Sequence, residues 1–345
     1  MFRFDWDEDS QAVGELARDF GRGAAARERE AAEGGGVPGE LRAQARDLGL
    51  LDLQRSPEHG GLGLTALAAG HAVAGLVAEA PTIGTALLLP EAAAIFGQGP
   101  GTGLVDGGEG HLGYRQAGGL RLTGRRVEGS VGFAALGEER LSYLLIAAGE
   151  DGDRFCRVPA SALEIAPRQA MGLGALAMGR VAATADAEPL GACGPRERTE
   201  LFLYLAPFFH GYGRAALGYA RDYAAQRKAF GRLIGSFQGI AFPLAEVAME
   251  NEAAELLWQD AAWRHAAGED AFGLAAQALR AAKDAAFLAV NTCVGTLGGH
   301  GFVDDHPAER WLRDVETLSA LTGSRLALGQ AAIAIDTGKE AEGIA

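Results

Sequence analysis

Over the first hundred positions apolar residues recur at three- and four-residue steps, the mark of helices that bury one face. Val13, Leu16, Ala17 and Phe20 fall at i, i+3, i+4 and i+7, and Asp9 or Ser10 is placed to cap a helix running to about Gly21. A second helix is expected after Pro38, from Glu40 to Leu48, with Gly49 as its stop. Residues 56–64 (SPEHGGLGL) read as glycine-punctuated loop, and two more apolar helices follow near 66–78 and 82–96. Around Gly97 the pattern changes to short runs bounded by Gly, Pro, Ser or Asp. Strands are expected at 120–123 (LRLT), 142–147 (SYLLIA), 154–158 and 163–166, a spacing of about ten residues that suits a small barrel or sandwich. From Glu197 the period is helical again. Ile240, Leu244, Val247, Ala254, Trp258 and Ala261 form a seam interrupted only by Asn251, as in a helix packed at a shallow angle in a bundle. Residues 295–301 (GTLGGHG) break the last helices with a tight turn. The expected architecture is α+β and multidomain: helices over 1–98, a shortened and divergent β domain over 99–192, and a helix bundle over 193–345.

Composition narrows the class. With 345 residues and 48% hydrophobic positions the chain has material for two or three domains, and global disorder is excluded. Lys plus Arg is 31 against 45 Asp plus Glu, a net charge of -14, which argues against a nucleic-acid partner. Cys156, Cys193 and Cys293 lie far apart with no CxxC pair, so neither a disulfide framework nor a zinc ribbon is indicated. The acidic start lacks the apolar core of a signal peptide, and no run of 18 apolar residues occurs. A soluble cytoplasmic protein with no membrane contact is expected.

Most motif candidates are weak. Residues 108–113 (GEGHLG) match GxGxxG but do not lie between a strand and a helix, so a loop is the better reading than a dinucleotide fingerprint. His300 and His306 with Asp304, Asp305 and Glu309 form a cluster, yet Pro307 breaks the local helix and no metal is expected. His71 and His265 read as packed or exposed side chains. Two stretches stand out: 221–238 (RDYAAQRKAFGRLIGSFQ) and 297–314 (LGGHGFVDDHPAERWLRD). An arginine fork, an aromatic and a glutamine on one loop suit a pyrophosphate and a flat heterocycle.

In these stretches Arg-Lys-x-Phe-Gly is followed by Phe-Gln, then by Gly-Gly-x-Gly-Phe and by Pro-x-Glu-Arg with Arg-Asp. That order and spacing resemble the acyl-CoA dehydrogenase family, strongly over the C-terminal half, moderately over the N-terminal helices and weakly in the middle. The resemblance implies an α-helical domain, a small β-barrel and a four-helix bundle. It also implies FAD shared across a subunit interface, an acyl-CoA substrate oxidised at Cα–Cβ, and an electron-transfer flavoprotein or similar acceptor. By resemblance Arg227 meets the flavin pyrophosphate, Phe230 lies beside the adenine and Gln238 hydrogen-bonds nearby. Gly298, Gly299 and Gly301 let the backbone approach the cofactor, and Ser324 belongs to the same set.

The pattern fails where the chemistry would be. The family's catalytic glutamate, in a Tyr-Glu-Gly-Thr run, is here Thr322, within 321–324 (LTGS). The alternative glutamate position, on the first bundle helix, maps to Leu201; Glu200 is adjacent but rotated by about 100°. An arginine serving CoA is Phe202, a tryptophan is Val127, and residues 103–110 replace the flavin loop of the middle domain. These losses suit a degenerate subunit whose homologous partner supplies the base, as in paired subunits of steroid side-chain oxidation. A self-sufficient enzyme using Glu200 and a non-catalytic scaffold are the competing readings.

Overall fold

The computed structural model describes residues 8–107, 119–137, 140–323 and 328. Its first part is helical: α1 (Glu8–Ala24), α2 (Glu28–Gly34), α3 (Gly39–Asp47), α4 (Ala66–Glu79) and α5 (Pro81–Leu88). Thr65 caps α4, its Oγ1 accepting from the Ala68 N–H at 3.3 Å. The single helix expected near 82–96 is divided. Pro90 has no N–H and crowds the preceding turn, so the α-helix ends at Leu88 and a tighter 3-10 run covers Leu89–Phe96.

The four strands expected in the middle join four others in one eight-stranded sheet: β1 (Thr102–Asp106), β2 (Leu120–Thr123), β3 (Arg126–Ala135), β4 (Ser142–Gly149), β5 (Gly152–Pro159), β6 (Leu163–Pro167), β7 (Met178–Asp186) and β8 (Glu188–Ala192). The order is β6-β7-β3-β2-β4-β5-β8, with β1 parallel to β4 through Leu104 opposite Leu144. In β4 both faces are apolar, as SYLLIA suggested. Tyr143, Leu145 and Ala147 enter the sheet's own core, while Leu144 and Ile146 meet Ala93, Phe155 and Cys193 on the other side.

The last part is four helices among the described residues: α6 (Pro195–Ala224), α7 (Gln238–Ala266), α8 (Phe272–Leu297) and α9 (Ala308–Leu321), with a small hairpin of β9 (Lys228–Ala229) and β10 (Arg232–Leu233) between α6 and α7. Pro195 begins α6, and the Glu197 carboxylate accepts the Gly194 N–H at 2.9 Å. Pro207 inside α6 deprives the Leu203 carbonyl of its helical donor. Trp258 of α7 supplies one instead, its indole Nε1–H donating at 2.9 Å. The indole lies against Gly70 of α4, where a Cβ would sit 2.1 Å from the ring.

The N-terminal helices and the bundle share one core. Phe20, Val73, Leu76, Phe208, Trp258, Leu279 and Val315 belong to the same cluster, and the sheet keeps a separate smaller one. No described helix is long and apolar enough to cross a membrane.

Candidate active site and cofactor loops

Both positions that the family resemblance assigns to a catalytic glutamate reach one cavity. Thr322 and Leu321 at the end of α9, Leu201 and Leu205 of α6, and Leu104 and Phe133 of the sheet line a space of about 100 Å³. Thr322 is buried, and its hydroxyl donates to the Leu318 carbonyl at 2.8 Å. From α8 the ammonium of Lys283, only 1% exposed, donates to the carbonyls of Thr322 (2.9 Å) and Gly323 (2.6 Å). A cation thus satisfies the carbonyls just past the end of α9 and fixes the segment. A hydroxyl so engaged is no base for a thioester α-proton, which needs a positioned carboxylate.

The one carboxylate lining the cavity, among the described residues, is Asp106 at the end of β1. It pairs with Arg198 of α6, at 3.3 Å through Nη2 and more closely through Nη1, and Arg198 also donates to Asp153 at 2.7 Å. Burial works to lower the guanidinium's pKa, but the two carboxylates outweigh it and hold Arg198 above its usual value. This triad ties the sheet to the bundle.

Glu200 is not in the cavity lining; it faces His265, 3.6 Å away, and Arg196 at 3.9 Å. Burial raises its carboxyl above the ordinary range. Phe202, at the position of the CoA arginine, is fully buried and stacks obliquely on Phe272 with ring centres 5.7 Å apart. Val127 is buried in the sheet core.

Arg227, Phe230 and Gln238 face outward, while Gly301 is buried. After α6, residues 228–233 form the hairpin, whose two-residue loop Phe230-Gly231 has positive φ at both positions, +51° and +79°. That is the backbone of a type I′ turn, where asparagine and glycine are the easy occupants. Phe230 is 96% exposed, its edge toward Phe237 at 6.2 Å. Arg227 and Gln238 are exposed beside it, and neither makes a side-chain hydrogen bond or ion pair with the described residues.

The 3-10 turn at Gly298–Phe302 lies close by, since Tyr223 of α6 reaches His300 at 3.5 Å and Tyr219 reaches His306 at 2.7 Å. Gly298 has φ +60° and ψ −131°, a region open only to glycine, and a Cβ on Gly301 would meet the Val294 carbonyl at 2.5 Å. Around Gly298 and Gly299 a Cβ would meet nothing within 4 Å, so this backbone is open to approach. Two stretches about seventy residues apart are thereby joined at one surface. Ser324 and the GxGxxG run at 108–113 lie outside the described residues. No group of three or more His, Cys, Asp or Glu that could hold a metal occurs among the described residues.

The Arg-Asp pair, read in the sequence beside the cofactor motifs, is structural. Asp314, 1% exposed, accepts from Tyr212 and Thr82 hydroxyls, each at 3.1 Å, and from the Leu173 N–H at 2.5 Å. That last bond holds Leu173 at φ +58°. Burial raises the Asp314 carboxyl, against the lowering by its donors. Sequence reasoning did not find Arg198 or Lys283. For Lys283 there was a signal, a single lysine on the apolar face of α8.

The family model for the acyl-CoA dehydrogenase N-terminal domain matches residues 7–97, and that for the C-terminal domain matches residues 203–329. An acyl-CoA dehydrogenase of Bacillus subtilis (strain 168) is 42% identical over 114 residues, 33% of this chain and 30% of that protein. A 3-(aryl)acrylate reductase of Clostridium sporogenes is 38% identical over 114 residues, with the same shares. The matched segment thus spans less than a third of either relative's length. Among solved structures, butyryl-CoA dehydrogenase from Megasphaera elsdenii superposes with a TM-score of 0.83 at 21% identity, covering 97% of this chain and all of that one. The ChsE4-ChsE5 complex from Mycobacterium tuberculosis gives 0.83 at 20%, covering 99% of this chain and all of that one. With both terminal domains matched and the fold shared along its length, the chain belongs to the acyl-CoA dehydrogenase family.

Family membership implies FAD, and this chain's residues fit it on one side only. The exposed Arg227, Phe230 and Gln238, with the open glycine turn, offer a cation, an aromatic face, an amide and accessible backbone. The inner cavity, at about 100 Å³, falls well below the roughly 300–1,000 Å³ of pockets that enclose cofactor-sized ligands. Its described lining is apolar apart from Thr322 and the paired Asp106.

Proposed function

We propose that this chain is the base-lacking subunit of an FAD-dependent acyl-CoA dehydrogenase. It lends Arg227, Phe230 and Gln238 to a flavin held mainly by a homologous subunit, which carries the catalytic glutamate and most of the acyl-CoA pocket. An electron-transfer flavoprotein or similar acceptor would reoxidise the assembly. The observation that carries this reading is the convergence of Thr322 and Leu201, both unable to take a proton, on one small cavity. The outward presentation of Arg227 and Phe230 supports it from the other side, because a scaffold needs neither.

A stripe on α7 supports a covered surface beside that loop. Phe242, Met249, Leu256 and Trp263 recur every seven residues and are 64%, 66%, 49% and 51% exposed, on the helix that Gln238 begins. The ChsE4-ChsE5 complex, as a two-component neighbour, fits the same reading. The test is the flavin-to-protein ratio from the visible spectrum, with the chain expressed alone and with a homologous partner. Essentially no flavin alone and about one per pair together is expected. Near one flavin per chain alone would overturn the reading in favour of a self-sufficient enzyme.

A further inference from the structure

The apolar stripe on α7 has an acid at its middle. Phe242, Met249, Leu256 and Trp263 are all exposed, and seven residues fall only about 20° short of two full turns. The four therefore share one face over about 30 Å of helix, where exposed apolar side chains ordinarily stand singly. Ala245 and Ala253, exposed between them, leave room for a second helix to come close.

Glu252 lies three residues after Met249 and four before Leu256, steps that place it on the same side of the helix. It is exposed and makes no hydrogen bond or ion pair with the described residues; the same holds for Glu246 and Glu250 on the opposite flank of the stripe. The one arginine of α7, Arg264, is engaged elsewhere, with Asp260 at 3.1 Å and Glu269 at 3.6 Å. No lysine occurs on the helix.

These charges decide which chain can cover the stripe. Two copies of α7 paired antiparallel about a two-fold axis would cross near the midpoint of the stripe, where residues meet their own counterparts. Two copies paired parallel would set every residue level with its counterpart. Either way Glu252 is brought against Glu252 of the second copy, inside an apolar seam and with no cation at hand. The stripe is thus shaped to be covered by a helix, and charged against a copy of itself.

We propose that the α7 stripe is the docking face for a helix of a different chain, apolar at the same seven-residue interval and carrying Lys or Arg opposite Glu252. Glu252 pairs with that cation and repels a second copy of this chain. The assignment rests on the proposed function in taking the other chain to be the homologous subunit, since the stripe runs on from Gln238 beside the flavin loop.

Sedimentation velocity on the purified chain, with its own Glu252→Lys variant as the complementary probe, tests it. An equimolar mixture of parent and Glu252→Lys should form a one-to-one pair at least tenfold tighter than either chain forms with itself. That pair should weaken with added salt and be lost when Met249→Asp is placed in either chain. Glu252→Gln, which only removes the like charges, should tighten self-association several-fold with an unchanged melting temperature. A mixture that pairs no more tightly than the separate chains, or pairing that survives Met249→Asp, overturns the proposal. Flavin takes no part in this measurement. A chain that holds its own flavin yet pairs selectively would remove the half-site reading and keep the docking face, and a flavin-free chain that pairs without selection would do the reverse.

Discussion

Phe230 holds a left-handed backbone that asparagine or glycine adopts with less strain, at a position where its ring is almost wholly exposed. Strain of this kind is of order 1 kcal/mol and persists where a site needs it. Phe230→Asn should therefore raise stability slightly, by up to about 1 kcal/mol in a urea titration, while the assembled protein loses flavin faster on dialysis. Arg227→Ala should leave the melting temperature of the isolated chain unchanged and weaken flavin retention by the complex. Unchanged retention would remove the half-site reading. Thr322→Glu asks the converse question. A carboxylate forced into the 4%-exposed threonine site, beside an apolar cavity of about 100 Å³, should lower stability by several kcal/mol and give no dehydrogenation by the chain alone.

At the scale of elements, α4, α6 and α7 bury two histidines around one tryptophan. The His71 and His210 rings stand 5.2 and 6.1 Å from Trp258, and burial, reinforced by Arg214, pushes each pKa down to about 3. The unfolded chain takes up a proton at each near pH 6.5, so this stabilisation is complete above that pH and drains away as pH falls toward 3. Each contributes a slope of about 1.4 kcal/mol per pH unit in that window. The buried Glu28, Glu255 and Asp314 are raised and act in the opposite sense, so the comparison must be between variants. Between pH 7 and 5 the parent should lose about 2 kcal/mol more than His210→Leu, read from urea midpoints. An equal loss would mean that His210 is not held neutral.

Elements were legible where side chains alone carried the period. β4 read clearly because both its faces are apolar, but β3 (RVEGSVGFAA) and β7 (MGRVAATAD) did not, since glycine and alanine dilute the alternation. The turn at Gly298–Phe302 was legible because its glycines answer to backbone geometry. The Arg198 triad was not, because its partners lie 92 and 45 residues away and no local pattern announces them.

At the scale of the whole molecule, Arg198 and Asp314 are the polar fasteners between parts. Arg198→Leu would take the buried cation from between two half-buried carboxylates, and a loss of about 3–5 kcal/mol is expected, with the sheet exchanging its amide protons before the helices do. Asp314→Ala should cost a similar amount, since it frees the Leu173 N–H, Thr82 and Tyr212 together. Simultaneous melting of sheet and helices in either variant would mean that the two cores are one cooperative unit.

The core shared by the first helices and the bundle has a further meaning during synthesis. The apolar face of α4 is finished by Glu79, yet its packing partners on α6 and α7 emerge only when the ribosome has passed Ala224 and Ala266. At about 5–20 residues per second the nascent helix waits roughly ten seconds or more with its greasy side uncovered. The N-terminal third of this protein therefore leaves the ribosome as a client for chaperones rather than as a folded domain. Ribosome-bound chains stalled before α7 should be captured by trigger-type holdases and released once the bundle is complete.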